Sequence, residues 1–181
     1  ALKARLEAAQ ALSLTDRAKG LAAAAALEVA AKVLTALRAT GDLLTEVTLD
    51  RADLLIGLGI VGQDRTLLAV AATELAALAA RLDPDATPLA WMRAETLRGQ
   101  ALTALGDVVG DAASIAEGVA ALKAAAVAVP HNHAPLDEAR TGHALGLALQ
   151  AMGEACEEEA LFDRAVKAFS PALEAPRRAP P

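Results

Sequence analysis

The histidines are the first residues in this sequence whose types and spacing could do chemistry. His131 and His133 stand two residues apart in the segment PHNHAP, with Asp137, Glu138 and His143 downstream. A zinc ion needs three or four ligands that converge at about 2.0–2.3 Å, and His-x-His in a loop supplies two of them. No further ligand motif recurs at a regular spacing, so we predict a polar turn here, with no metal and no other cofactor.

Cys156 is the second candidate, as the single cysteine of the chain. No disulfide can therefore form within the chain. A catalytic thiol needs a cationic neighbour that stabilises the thiolate, whereas the segment around Cys156, GEACEEEAL, is acidic. The segment also lacks the spaced ligands and central glycine of a calcium loop. We interpret it as the solvated start of a helix, where negative charge is favoured.

The third candidate is the segment GLGIVG, from Gly57 to Gly62, which matches the G-x-G-x-x-G pattern of a phosphate-binding loop. That loop follows a strand, but this segment follows an apolar pattern of helical spacing. Asp64, two residues after it, would also repel a phosphate. We predict a glycine-rich turn between two helices. No other segment carries the context of a catalytic nucleophile, so the sequence indicates that the protein is not an enzyme.

The composition favours helices and argues against two classes of partner. Hydrophobic residues make up 55% of the chain and aromatic residues 2%, and much of the apolar content is alanine, the best helix former. The net charge of −6 and the lack of a basic run before Arg177-Arg178 argue against nucleic-acid binding. The most apolar stretch carries Glu28 and Lys32 and would be a poor membrane span. We expect a soluble protein, with the cytoplasm favoured and an exported form left open because the sequence begins with Ala1.

The elements that position these residues follow from an internal repeat. The stretch TPLAWMRAETLRGQALTALGD returns 47 residues later as APLDEARTGHALGLALQAMGE, which aligns Gly99 with Gly146. Within each interval, apolar residues recur at helical spacing over two segments. We therefore predict an all-α fold in which four helix pairs stack as a right-handed α-solenoid. The predicted units are residues 1–38, 42–82, 88–129 and 135–173, followed by a Pro-rich, disordered tail at 175–181.

Proline and glycine mark the expected ends of the first helix in each unit. Pro88 and Pro135 suit the first position of a helix. Glycine favours the end of a helix, so we expect the first helices to end near Gly59, at Gly106 and Gly110, and near Gly153.

The residue pattern resembles the tetratricopeptide repeat. Leu145-Gly146 followed by Leu149 is similar to the first helix of that family, although Arg98 stands where the third unit would carry an apolar residue. The family's second-helix spacing is matched in full by Gly118, Leu122, Ala125 and Pro130. The usual unit has about 34 residues, so this chain resembles a long-unit variant. The resemblance implies a scaffold or adaptor for protein interactions, and it names no partner.

The resemblance also implies that the first helices line a concave groove. The side chains that it places there are Arg93, Thr96, Gln100, Arg140, His143, Leu147 and Gln150, with Glu46, Leu49, Asp50, Asp53 and Ile56 from the second unit. The groove would then be basic and polar at one end and acidic at the other. Arg93 and Arg140 would together grip an acidic segment or a C-terminal carboxylate of a partner protein or peptide.

Three alternatives stay open at the level of sequence. The arginines of the groove could be ordinary surface ion pairs with Glu95 or Glu138. The chain could be a structural subunit that docks through Ala-rich helices, such as residues 21–37, into a larger complex or a homo-oligomer. It could also be a regulatory region of a longer protein.

Overall fold

The computed structural model of the protein describes residues 16–36, 42–130 and 133–170. These residues form seven α-helices and no strand, which confirms the predicted all-α class. The helices are α1 (Arg17–Ala36), α2 (Asp42–Gly62), α3 (Arg65–Ala79), α4 (Pro88–Val109), α5 (Ala112–Ala126), α6 (Pro135–Cys156) and α7 (Glu159–Ala168).

The helices pair as the repeat predicts. In each of the last three units a long first helix (α2, α4 or α6) packs against a shorter second helix (α3, α5 or α7). Pro88 and Pro135 are the first residues of α4 and α6, as expected from their fixed backbone angle. Of the first predicted unit, only α1 and the residue before it lie within the described residues. The predicted tail at 175–181 lies outside them.

The predicted helix ends near Gly59, Gly106 and Gly153 fall three residues short, whereas the predicted end at Gly110 is confirmed. Each helix continues for three more residues, to Gly62, Val109 and Cys156. The turn begins instead at a residue with left-handed backbone angles. These residues are Gln63 (φ 48°), Gly110 (φ 70°) and Glu157 (φ 54°), which are again spaced 47 apart. The segment GLGIVG therefore lies inside α2 and is not a loop.

Aspartates start the second helices of two units. The Asp64 carboxylate accepts hydrogen bonds from the backbone N–H groups of Thr66 and Leu67, and Asp111 does the same for Ala113 and Ser114. These bonds satisfy donors that a helix leaves unpaired at its start. The backbone bonds lower the pKa of Asp64, and a hydrogen bond from the Ser114 hydroxyl, followed by the backbone bonds, lowers the pKa of Asp111. A left-handed residue followed by an acidic cap thus reverses the chain within two residues.

The repeated glycines allow the two helices of a unit to touch along their backbones. A Cβ atom built on Gly99 would lie 2.8 Å from the carbonyl oxygen of Gly118, and one built on Gly118 would lie 2.8 Å from the carbonyl oxygen of Gly99. At Gly106 a Cβ would lie 2.7 Å from the carbonyl oxygen of Asp111 and 2.9 Å from the backbone nitrogen of Ile115. The glycines are therefore required by close packing and not by the turn.

Leucine and alanine fill the layers between the helix pairs. One buried cluster runs from α1 to α4 and includes Leu27, Leu54 and Leu75, and a second joins α5, α6 and α7 around Leu122. The first helices α2, α4 and α6 contact one another in succession. Among the described residues, the second helices do not approach one another in this way. The first helices therefore form the inner, concave side of the stack.

Gly106 is packed more tightly against backbone atoms than Gly153, so alanine substitutions at the two positions form a matched pair. Gly106→Ala should lower the free energy of unfolding by about 1–2 kcal/mol, because overpacking against backbone costs about 1–3 kcal/mol and helix propensity returns about 0.5–1 kcal/mol. Gly153→Ala should be near neutral, because its Cβ would lie 3.2 Å from the Phe162 ring and 3.3 Å from the carbonyl oxygen of Glu158. Guanidinium unfolding followed by circular dichroism measures both variants. Equal losses would show that the backbone contact at Gly106 does not limit packing.

Candidate partner-binding groove

The inner surface of α2, α4 and α6 encloses a depression of about 200 Å³. All three helices contribute to it, and most of the lining side chains are polar or charged. The lining residues are Glu46, Leu49, Asp50 and Asp53 from α2, Met92, Arg93, Thr96 and Leu97 from α4, and Asp137, Arg140 and Thr141 from α6. A wider depression of about 690 Å³ adjoins it between α2, α3 and α4 and shares Glu46 and Arg93.

Arg93 joins the three first helices. Its Nε donates to Oδ1 of Asp137 at 2.8 Å and its Nη2 donates to Oδ2 at 3.1 Å, while Nη1 lies 3.5 Å from Oε1 of Glu46. Hydrogen bonding to Asp137 raises the pKa of Arg93 above its usual value. The paired geometry fixes the plane of the guanidinium. Arg93 does form an ion pair, but its partners are on neighbouring helices rather than at the adjacent Glu95.

Arg140 occupies the position in α6 that Arg93 occupies in α4. Its Nη2 donates to Oδ1 of Asp53 at 2.5 Å, so α6 reaches past α4 to α2. The Arg140 side chain is 47% exposed and the Asp53 side chain 34%. A direct contact between the second and fourth units means that the inner surface is strongly curved.

Thr96 borders the depression, but its hydroxyl serves the contact between α4 and α6. It is 2% exposed, and its Oγ1 lies 2.7 Å from Oγ1 of Thr141. Because the Thr141 hydroxyl donates to the carbonyl oxygen of Asp137 at 2.9 Å, Thr96 is the donor of this pair. Its hydroxyl is therefore already used within the chain.

Five other residues predicted for the groove do not line the depression, and one of them, Ile56 of α2, is buried with an exposure of 3%. Gln100 is half-buried on α4. On α6, His143 is exposed with its ring 5.6 Å from the Phe169 ring, Leu147 is 48% exposed, and Gln150 donates to Glu154 at 2.9 Å. The sequence reasoning missed Thr141 as a groove residue and considered Asp137 only as a metal ligand. No acid recurs at the position of Asp137, since α4 carries Ala90 there, so no repeated signal in the sequence points to Asp137.

The predicted separation of charge along the groove is also wrong. Four carboxylates and two guanidinium groups interleave across the depression, because each arginine reaches a carboxylate on a different helix. The lining groups carry a formal net charge of −2. Neighbouring helices in the stack bring basic and acidic side chains together that lie far apart in the sequence.

A second arginine position supports the fold rather than the groove. Arg51 on α2 is 9% exposed, and it donates to Glu28 of α1 at 3.0 Å, to Glu74 of α3 and to the carbonyl oxygen of Ala24. A hydrogen bond from Lys32, and then the charge of Arg51, lower the pKa of Glu28. Arg51 therefore connects the first three helices.

Arg98 lies 47 residues after Arg51 and, like Arg51, bonds an acid on the second helix of its own unit. It bonds Glu95 at 3.0 Å and also Glu117 of α5. The basic residue at this position, where the resembled family carries an apolar one, thus connects the first helix of a unit to the second.

The chemical candidates from the sequence are dispersed in the structure. Among the described residues, no three His, Cys, Asp or Glu side chains converge as ligands of a metal ion. His133 is exposed, Cys156 is an exposed thiol, and His131 lies outside the described part of the chain. No helix in the described ranges is long and apolar enough to cross a membrane.

Comparison of the chain with protein-family models, with curated proteins and with solved structures returned no match. Any inference on function therefore depends on the geometry of the chain itself.

The two groove arginines yield a comparison by double-mutant cycles. The Arg93–Asp137 pair should show a coupling energy of about 1 kcal/mol, because the pair is bidentate and partly shielded. The Arg140–Asp53 pair should couple by only a few tenths of a kcal/mol, since it has one hydrogen bond and greater exposure. Single and double alanine variants, unfolded in urea, measure both values. Stronger coupling for Arg140–Asp53 would contradict the described geometry.

Proposed function

We propose that this chain is a scaffold for protein interactions that binds a segment of a partner protein in its concave groove. The proposed architecture is a right-handed solenoid similar to a tetratricopeptide array with long units. The observation that carries the proposal is the convergence of three successive first helices on one depression lined by charged side chains. A surface built from several repeats suits an extended partner better than a single small molecule.

The two arginines differ in what they can offer a partner. Arg93 is held by two hydrogen bonds to Asp137, so a ligand would have to displace that carboxylate. Arg140 uses Nη2 for Asp53 and is half exposed. A guanidinium has five N–H donors, so Arg140 can donate to a second carboxylate while its hydrogen bond to Asp53 remains. We infer that an acidic side chain or a C-terminal carboxylate of the partner binds at Arg140.

Selection from a random peptide library on the immobilised chain tests this proposal. The selected peptides should contain acidic residues, and Arg140→Gln should weaken their binding about tenfold or more, since a charge-assisted contact contributes roughly 1.5–3 kcal/mol. Lys123→Gln, which removes an exposed positive charge from α5 on the outer side, is the matched control. Raising the salt concentration should weaken binding as well. Peptides that bind the two variants equally well would refute a role for Arg140 in the groove.

A second candidate function is docking as a structural subunit through the outer side of α1. Val29 and Val33, four residues apart on this Ala-rich helix, are 60% and 51% exposed. Burial of such a stripe would favour a complex or a homo-oligomer.

Sedimentation velocity distinguishes the two candidates. If the docking function holds, the chain should form an oligomer that the double variant Val29→Asp/Val33→Asp dissociates, because charges would enter a buried interface. A wild-type chain that sediments as a monomer at all accessible concentrations would count against self-association through α1.

A further inference from the structure

The last helix pair of the described residues, α6 and α7, exposes positions that the preceding pair buries. Val119 on α5 is 6% exposed, whereas Val166, which occupies the same repeat position on α7, is 69% exposed. Thr96 on α4 is 2% exposed, whereas its counterpart on α6, His143, is exposed. In each case the earlier residue is covered by the following unit. We call the corresponding surface of α6 and α7 the terminal edge, and define it by Arg140, His143, Leu147 and Val166.

The terminal edge has exposed apolar side chains, as expected of a surface on which another helix packs. Leu147 and Val166 on this edge are apolar, and they are 48% and 69% exposed. Arg140, His143 and Leu147 follow one another at helical spacing, as Arg93, Thr96 and Gln100 do on α4. The terminal edge is therefore equivalent in position to the surface of α4 and α5 that packs against α6.

The contact of α6 with α4 and α5 shows which groups bind to a surface of this kind. Asp137 binds Arg93 and Thr141 binds Thr96. Ala144 and Ala148 pack in the same buried cluster as Val119 of α5. The covering helix thus presents a carboxylate, followed by small residues four, seven and eleven positions later.

We propose that the terminal edge binds an amphipathic helix of a partner protein, which places a carboxylate on Arg140 and small residues over Leu147 and Val166. The inference rests on the proposed function, since it specifies the form in which an acidic partner reaches Arg140. Charge complementarity sets the register of the helix, and the exposed apolar side chains supply the buried area. The contact between α4 and α6 is the template for this mode of binding.

A peptide with the sequence of residues 135–156 is the probe for this site. It carries Cys156→Ser to prevent oxidation, a lactam bridge that keeps it helical and a fluorescent label. Fluorescence anisotropy should detect saturable binding to the full chain. Arg140→Gln and Val166→Asp should each weaken binding about tenfold or more, while Lys123→Gln should leave it unchanged. A chain with Arg140→Glu should recover binding to a peptide with Asp137→Lys, because the charges are exchanged.

Several outcomes would overturn the proposal. The absence of saturable binding by the helical peptide would do so. Binding that depends on Arg140 but is unaffected by both Val166→Asp and Leu147→Asp would refute helix docking and leave the proposed function intact. Wild-type self-association that Val166→Asp abolishes would identify a second copy of the chain as the occupant. Because Val166 and Leu147 are exposed, circular dichroism should show both variants folded.

Discussion

The close approach of helix backbones within each pair is the constraint on which the rest of the structure depends. Gly99 and Gly118 meet without side chains between them, and Gly106 lies against the backbone at the start of α5. Any side chain at these positions would push the helices apart and move the next unit with them. Aromatic residues are 2% of the chain, so few bulky groups are available to fill a wider gap. The alanine-rich composition and the tight pairing are therefore two aspects of one packing solution.

Charged residues connect the units that this tight packing brings together. Arg51 spans three helices in a nearly buried site, where three acceptors offset the cost of removing the guanidinium from water. On the inner surface the pairs of Arg93 and Arg140 are partly exposed and contribute less to stability. Their effect there is to hold side chains in defined positions across α2, α4 and α6. A polar, pre-arranged concave surface is suited to recognising a partner.

The glycine-rich segment and the cysteine that the sequence offers as chemical candidates do not line the groove. The glycine-rich segment at the end of α2 belongs to a helix and packs against α3, with Gly59 next to Leu68. Cys156 is exposed at the end of α6, and the helix start that follows it is acidic. By contrast, charged and apolar side chains converge at the groove and at the terminal edge. These two surfaces adjoin at Arg140, which belongs to both. In the proposed complex, the groove would recognise the charge of a partner and the terminal edge would recognise its apolar helical face.

The 47-residue interval in the sequence was sufficient to determine the helix pairs, and Pro88 and Pro135 determined where two of the first helices begin. These features depend on local hydrogen bonding and backbone angles, which neighbouring residues control. The interval could not show that Gly106 lies inside α4, because close packing and a helix end both favour glycine. The interval also aligns residues that occupy equivalent repeat positions, but it does not show which residues are in contact. The contacts of Arg93 with Asp137 and of Arg140 with Asp53 join helices of different units, and only the curvature of the stack brings them together.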